Sequence, residues 1–343
     1  AVGGSTSRRG VISTCNYLAR RFGVRSAMPT WQALSLCPHL EMLPHNMAKY
    51  QQTSAAMKAI FTEFTDQVEI VSIDEAYLDV SASAHCAGSA TLLAREIRSK
   101  IASELGITVS AGVAPNKFLA KVASEWLKPD GLYVIPPDRI DSFIVHLPVK
   151  CIHGVGETTA QRLYKQGIHS CGDLQQQSLR WLIKQFGGMG LRLFEFSRGI
   201  DHRQVSTSRF RKSLGVEQTF PHDLHDHEEY KSQLQLLYSQ LNRRLVNLPS
   251  SYSIRKLQAK VKFSNFVQTT LEAAAPAPNF ATFLALIETG VQREALPVRL
   301  LGIAVQLDHA ECGPTSGLQL PLPLPPLWDL DPVHRATAAP ARP

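Results

Sequence analysis

Two adjacent carboxylates, Asp74 and Glu75, form the strongest candidate for a catalytic site in this sequence. Short runs of β-forming residues flank them at 68–73 and 77–80, a pattern that predicts two strands meeting at a sharp corner. Carboxylate oxygens at the rim of a sheet are ligands that hard divalent cations prefer. Two such cations about 4 Å apart activate an attacking oxygen and stabilise a leaving one in phosphoryl transfer. A solvated acidic turn without chemistry is the alternative.

The charge of the chain favours a polyanionic partner. The 343 residues carry a formal net charge of +7, and residues 209–262 hold ten lysines and arginines against five acidic residues. A local basic excess suits binding to a phosphate backbone, although a solvated basic face would look the same. Six scattered cysteines without a CxxC pair indicate reduced thiols and no zinc site. No long apolar run or leader pattern is present, so we expect a cytoplasmic protein without a membrane partner.

The periodicity of the chain changes twice. Strand and helix patterns alternate over residues 47–136, which predicts an α/β unit, and no strand is predicted ahead of Gly3 and Gly4. Residues 138–203 show helices and glycine turns only. Residues 212–307 then follow the order β-α-β-β-α-β, with helices at 228–246 and 280–292, which predicts a two-layer sandwich. The Pro- and Ala-rich residues 311–343 are predicted to be disordered.

Several segments together resemble one enzyme family. The octapeptide SIDEAYLD at 72–79 resembles the palm motif of the Y-family, or lesion-bypass, DNA polymerases. Other stretches resemble the fingers (11–30, VISTCNYLARRFGVRSAMPT), a second palm motif (109–131) and the thumb hairpin (147–163). Residues 211–219, RKSLGVEQT, resemble the little-finger domain of the bacterial polymerase IV branch, and they disfavour the branch of partner-dependent mutagenic polymerases. The chain is identified as a member of this family.

The resemblance implies a right-hand polymerase that combines α/β and α+β domains. The implied domains are fingers at 1–46, palm at 47–136, helical thumb at 137–203, a linker at 204–210, little finger at 211–310, and a tail at 311–343. The implied reaction is low-fidelity, weakly processive DNA synthesis past damaged bases, in which two Mg²⁺ ions assist phosphoryl transfer from a dNTP to a primer 3′-OH and pyrophosphate leaves. Asp74 and Glu75 are two of the three metal-binding carboxylates of the family.

The resemblance also assigns binding roles, residue by residue. Thr14, Tyr17 and Arg20 of the fingers and Lys128 of the palm contact the triphosphate. Gly154 and Gly156 belong to a helix-hairpin-helix, whose backbone N–H groups bind DNA phosphates without reading sequence. The candidates for the little-finger grip on primer-template DNA are Arg211, Lys212, Lys260 and Lys262. Gln319, Leu320, Leu322 and Leu324 resemble a peptide that binds the sliding clamp (β subunit), although a Pro-Leu-rich tail with a chance Gln-Leu is an alternative. We expect a monomer.

One family feature has no counterpart in this sequence. In the family, a strand before the position of Gly3 carries the first metal-binding Asp and a bulky residue that excludes ribonucleotides. We therefore expect that about 30 residues are missing upstream, judged by the resemblance, and that the chain polymerises little. The alternative function is that of an inactive fragment that binds DNA and the clamp.

Overall fold

The computed structural model describes residues 1–208, 210–294 and 296–310. The first 46 residues contain two short strands, β1 (Val2–Gly3) and β2 (Ile12–Thr14), and two helices, α1 (Tyr17–Arg21) and α2 (Thr30–Leu36). β1 pairs antiparallel with β2, so the prediction of no strand ahead of the Gly3-Gly4 turn was wrong. A two-residue strand has no periodicity of its own, and only its partner defines it.

Residues 47–136 form helices packed beside two small sheets. Their elements are α3 (Met47–Thr62), β3 (Val68–Ile70), β4 (Ala76–Leu78), α4 (Ala90–Leu105), β5 (Ala111–Val113), α5 (Lys117–Trp126) and β6 (Leu132–Val134). β3 and β4 pair antiparallel, whereas β5 and β6 pair parallel with α5 as their crossover. The Asn116 side chain caps α5 by accepting a hydrogen bond from the Leu119 backbone N–H at 3.0 Å. α3 and α4 share a buried cluster that includes Ile60 and Ile101.

Helices alone follow as far as residue 196 in the described chain, as the glycine turns and apolar spacing predict. They are α6 (Ile140–Ile144), α7 (Glu157–Tyr164), α8 (Cys171–Gln175), α9 (Leu179–Phe186) and α10 (Gly188–Phe196). Their core continues into α5, because Phe118 stacks on Phe196 with ring centroids 4.4 Å apart. This continuity makes the helical segment and α5 one packed body.

Residues 213–309 form the predicted β-α-β-β-α-β sandwich. Its elements are β7 (Ser213–Leu224), α11 (His227–Leu245), β8 (Tyr252–Phe263), β9 (Gln268–Ala274), α12 (Phe280–Val291) and β10 (Val298–His309). All neighbours in the sheet are antiparallel, in the order β7-β10-β8-β9. Both helices pack on one face, over a core that includes Phe263 and Phe283, and the other face keeps its polar side chains.

The chain divides into two compact units. Residues 1–46 group with 210–310, and residues 47–208 form the second unit. Within the first unit, Arg9 pairs with Asp223 of β7 at 2.5 Å. Within the part of the chain that the structure describes, no helix is both long and apolar enough to cross a bilayer.

Candidate active site

The corner between β3 and β4 presents Asp74 and Glu75 to solvent. Pairing of the strands ends at Ile70 and Ala76, and the backbone N–H groups of Val71 and Ser72 donate to the Glu75 carbonyl oxygen at 2.9 and 3.2 Å. These bonds close a tight turn, and both acidic side chains are exposed on it. The Ser72 hydroxyl donates to Asp74 Oδ1 at 2.5 Å and orients that carboxylate. The corner that the sequence predicts is therefore present, with both carboxylates at its tip.

A lysine on a neighbouring helix holds the second carboxylate. Lys121 of α5 places its Nζ 2.5 Å from Oε1 of Glu75 and 2.9 Å from Oε1 of Glu125, one helical turn further on. Partial burial works to lower the pKa of Lys121, but its bonds to the two glutamates prevail and raise that pKa. Lys121 is thus a fixed positive charge beside the corner.

The two carboxylates fit a divalent metal in their donor chemistry. Both offer hard oxygen atoms, the class of ligand that Mg²⁺ takes from proteins. Among residues 1–208, 210–294 and 296–310, no group of three or more His, Cys, Asp or Glu side chains is arranged to hold a metal ion. A cation at this corner would take only part of its ligands from Asp74 and Glu75, and water or substrate oxygens would supply the others.

A second ion-pair network lies deeper on the same side of α5. Lys117, almost fully buried, donates to Oε2 of Glu69 at 2.5 Å and lies 5.0 Å from the centre of the Tyr77 ring. The backbone N–H of Ser206 donates to the same glutamate oxygen at 2.8 Å. Burial works to raise the pKa of Glu69, but the bonds from Lys117 and Ser206 outweigh it and lower that pKa. The network fastens residues 204–206 to β3 and α5.

Asp201 anchors the chain just before that segment. Its side chain is 1% exposed and forms a bidentate pair with Arg203 at 2.8 Å for both bonds. It also accepts the Phe118 backbone N–H at 2.9 Å, at the start of α5. Burial works to raise the pKa of Asp201, but these hydrogen bonds prevail and lower it. The carboxylate is therefore charged, and it caps α5 from a distant part of the chain.

Lys128 lies on an exposed turn that Arg98 secures. Arg98 of α4 donates to the backbone oxygen and to Oδ1 of Asp130 at 2.6 and 2.7 Å. Asp130 has a φ of +49°, in the left-handed region, and the peptide bond between Lys128 and Pro129 is cis. The turn is thereby attached to the unit that carries Asp74 and Glu75.

The three fingers candidates lie close together on the other unit. Thr14 ends β2 and is exposed, and Tyr17 opens α1 with 47% of its side chain exposed. The guanidinium of Arg20 lies 5.6 Å from the centre of the Tyr17 ring, and its Nε donates to the Cys15 carbonyl at 3.3 Å. Asn16 caps α1 through a bond from the Ala19 N–H at 2.9 Å. These contacts hold an exposed aromatic ring and a cation side by side.

Gly154 and Gly156 form an exposed turn between a short 3-10 helix, Val149–Cys151, and α7. Gly154 has a φ of +95°, which a residue with a Cβ rarely adopts. Gly156 caps α7, and a Cβ added there would meet no atom within 4 Å. The turn is thus open enough for a close approach of another backbone.

The basic candidates of the sandwich differ in their contacts with other side chains. Lys260 pairs with Glu217 at 2.7 Å across the intervening strand β10. Lys262 lies 5.1 Å from the centre of the Phe266 ring, which is 60% exposed. Lys212 and Arg211 are exposed at the start of β7.

A pairing contact explains how the Lys260–Glu217 bridge spans β10. Gly302 lies opposite both residues, and a Cβ there would come within 3.0 Å of the Glu217 Cβ. The absence of that side chain leaves room for the bridge. The clamp-peptide candidates Gln319, Leu320, Leu322 and Leu324 lie outside the described residues.

Several residues around these sites were not predicted from the sequence. Lys117, Lys121 and Glu125 recur at i, i+4 spacing, which is a readable signal that one helix face carries two cations and an anion. Arg299, whose guanidinium lies 4.6 Å from the centre of the Phe266 ring, was also missed. No local pattern singles out Arg299, because its partner ring is distant in the sequence.

Three family models match the chain. Residues 1–125 match the impB/mucB/samB family, and residues 211–311 match the C-terminal domain of that family. Residues 150–201 match the thumb domain of DNA polymerase-iota. Together the three matches span most of the described chain.

Curated relatives are similar over nearly the whole chain. DNA polymerase IV of Ectopseudomonas mendocina is 50% identical over 307 residues, which cover 90% of this chain and 87% of the relative. DNA polymerase IV of Legionella pneumophila strain Paris is 46% identical over 322 residues, with 94% and 90% covered.

Solved structures show the same fold. A Y-family DNA polymerase chimera of Dbh and Dpo4 has a TM-score of 0.81 at 26% identity, with 89% of this chain and 90% of that chain covered. DinB from Sulfolobus solfataricus has a TM-score of 0.59 at 25% identity, with the same coverage.

Proposed function

Because the chain belongs to the impB/mucB/samB family of Y-family DNA polymerases, we propose that it copies DNA past damaged template bases by adding dNTPs to a primer 3′-OH. The proposed synthesis has low fidelity and low processivity, as the family resemblance implies. The observation that carries it is the exposed Asp74–Glu75 pair at a sheet corner, in the second unit of a chain with this ancestry.

Asp74 and Glu75 would hold two divalent cations, and the proposed ion is Mg²⁺. When bound, such ions lower the pKa of the primer hydroxyl and neutralise charge on the leaving pyrophosphate. Ser72 orients Asp74 through its hydroxyl, and the ammonium group of Lys121 holds Glu75 at the corner before a cation binds. Preorganised carboxylates lose little free energy to reorientation during reaction, which is the usual source of electrostatic catalysis.

Four side chains in the proposal bind the triphosphate. Arg20 and Lys128 supply positive charge, which the developing negative charge of phosphoryl transfer requires. Tyr17 and Thr14 supply hydroxyl donors. Support comes from the side-by-side placement of Tyr17 and Arg20 and from the anchoring of the Lys128 turn by Arg98.

DNA binding in the proposal uses backbone and charge, without reading of base sequence. The open turn at Gly154 and Gly156 would approach phosphates, and Lys260, Lys262, Arg211 and Lys212 would contact the duplex. Weak gripping of this kind is sensitive to salt. Tethering by Gln319, Leu320, Leu322 and Leu324 to a sliding clamp would raise the local concentration of the enzyme at DNA. We place the chain in the cytoplasm as a monomer.

Primer extension with Mg²⁺ on a template of defined sequence tests the reaction. The chain is compared with Asp74→Asn, which keeps the size of the side chain and removes its charge. Asp79→Asn is the matched control, because Asp79 is an exposed carboxylate that follows the opposite end of β4. Binding of the same labelled primer-template is measured in parallel by fluorescence anisotropy.

Unlike the sequence-based expectation of little polymerisation, the proposed function predicts extension by the chain and by Asp79→Asn. It also predicts a loss of about 100-fold or more in Asp74→Asn, as for removal of one strong electrostatic contact in an active site. DNA binding by all three chains without extension would favour the alternative, a DNA-binding chain that does not polymerise. Equal extension by Asp74→Asn and the unchanged chain would show that the corner is not the catalytic centre.

A further inference from the structure

Lys121 is placed to compete with a divalent cation for Glu75. Its Nζ lies within 2.9 Å of both Glu75 and Glu125, and only 18% of its side chain is exposed. An ammonium group held at two points is a fixed charge, not a mobile surface amine. The hydrogen bond from Lys121 occupies one lone pair of Glu75 Oε1, and that lone pair is then not available to a metal ion.

We propose that Lys121 is a positioning residue that holds Glu75 in the metal-free protein and gives it up when a divalent cation binds. The inference rests on the proposed function, since it takes Asp74 and Glu75 as metal ligands. A positive charge beside a cation site disfavours occupation of that site by simple repulsion. Lys121 therefore lowers the affinity of the corner for metal and keeps Glu75 oriented until metal arrives.

Glu125 makes this exchange possible. It lies four residues after Lys121 on α5, so the helix keeps the two side chains adjacent whether or not Glu75 is bound to Lys121. When a cation takes Glu75, the ammonium retains one carboxylate partner in place of two. Without Glu125, Lys121 would depend on Glu75 alone, and a cation would have to leave it without an ionic partner.

The test is a Mn²⁺ titration in which the loss of the free-ion EPR signal reports binding to the full chain without DNA or nucleotide. Lys121→Met removes the charge at nearly constant length, and Lys121→Arg restores it. Lys100→Met is the matched control, because Lys100 bridges Glu63 and Glu104 in the same way on α4. Circular dichroism verifies that each variant is folded.

We expect Lys121→Met to bind Mn²⁺ about tenfold more tightly, comparable to one unit of pKa shift from a neighbouring charge. Lys121→Arg and Lys100→Met should match the unchanged chain, and Glu125→Gln should bind more weakly. Unchanged or weaker binding by Lys121→Met would overturn the inference, provided that Glu75→Gln weakens binding. If Glu75→Gln binds Mn²⁺ as the unchanged chain does, the metal site of the proposed function fails, and the inference fails with it.

Discussion

Replacement of Glu217 by Gln is predicted to strengthen DNA binding and to make it more sensitive to salt. Glu217 pairs with Lys260 at 2.7 Å on the polar face of the sandwich, with 53% and 35% of the two side chains exposed. A phosphate that contacts Lys260 must compete with this carboxylate. An exposed pair of this kind is worth about 0.2–1 kcal/mol, so its loss should raise the affinity for duplex about 1.5- to 5-fold at low salt.

The salt dependence gives a second, independent magnitude. In the unchanged chain Glu217 already neutralises Lys260, so contact with a phosphate releases little counterion. In Glu217→Gln, Lys260 becomes one additional phosphate contact, and the slope of log affinity against log salt should become more negative by about 0.9. Between about 50 and 200 mM salt, the variant should therefore lose about 3.5-fold more affinity than the unchanged chain.

The assay is anisotropy of a fluorescent primer-template duplex, titrated with protein at several salt concentrations. Glu63→Gln is the matched control, because Glu63, in the turn after α3, pairs with Lys100 of α4 and its replacement changes the net charge equally. The double variant Glu217→Gln with Lys260→Met should return to the slope of the unchanged chain. A slope in Glu217→Gln equal to that in Glu63→Gln would refute the reasoning, since Lys260 would then not contact phosphate.

Three further predictions concern stability, measured by urea unfolding. Gly112→Ala would place a Cβ 2.1 Å from a backbone oxygen of α5, so we expect a loss of about 1–3 kcal/mol or more; an unchanged midpoint would contradict this. Asp201→Ala should cost about 3 kcal/mol because it leaves the buried Phe118 backbone N–H and the Arg203 guanidinium without their carboxylate, whereas the exposed Asp138→Ala should cost under about 0.5 kcal/mol. Burial raises the pKa of Cys171 to about 12, so above pH 9 the folded state binds more protons than the unfolded state. The free energy of unfolding should therefore fall as the pH rises above 9. Cys171→Ala should reduce that fall.

Local spacing and capping were enough to predict most helices and the ends of several. Helix α11 was predicted at 228–246 and is observed at His227–Leu245, because Asp226 is a strong cap and the apolar period is clear. The end of strand β7 at Leu224 could not be read from local spacing. Its last part pairs with β10 beyond a shift in register near Val298, and such pairing depends on a partner far along the chain.

The candidate corner was also visible in the sequence, because an Asp-Glu pair between two β-forming runs is a local pattern. Its electrostatic surroundings were not. Lys121 reaches Glu75 across 46 residues of sequence, and Lys260 reaches Glu217 over the glycine of a third strand. The sequence by itself therefore determined the elements, the acidic pair and the family, since these depend on neighbouring residues and their order. Only the tertiary structure decided which charges meet, because an ion pair is set by the packing of elements and not by the spacing within one of them.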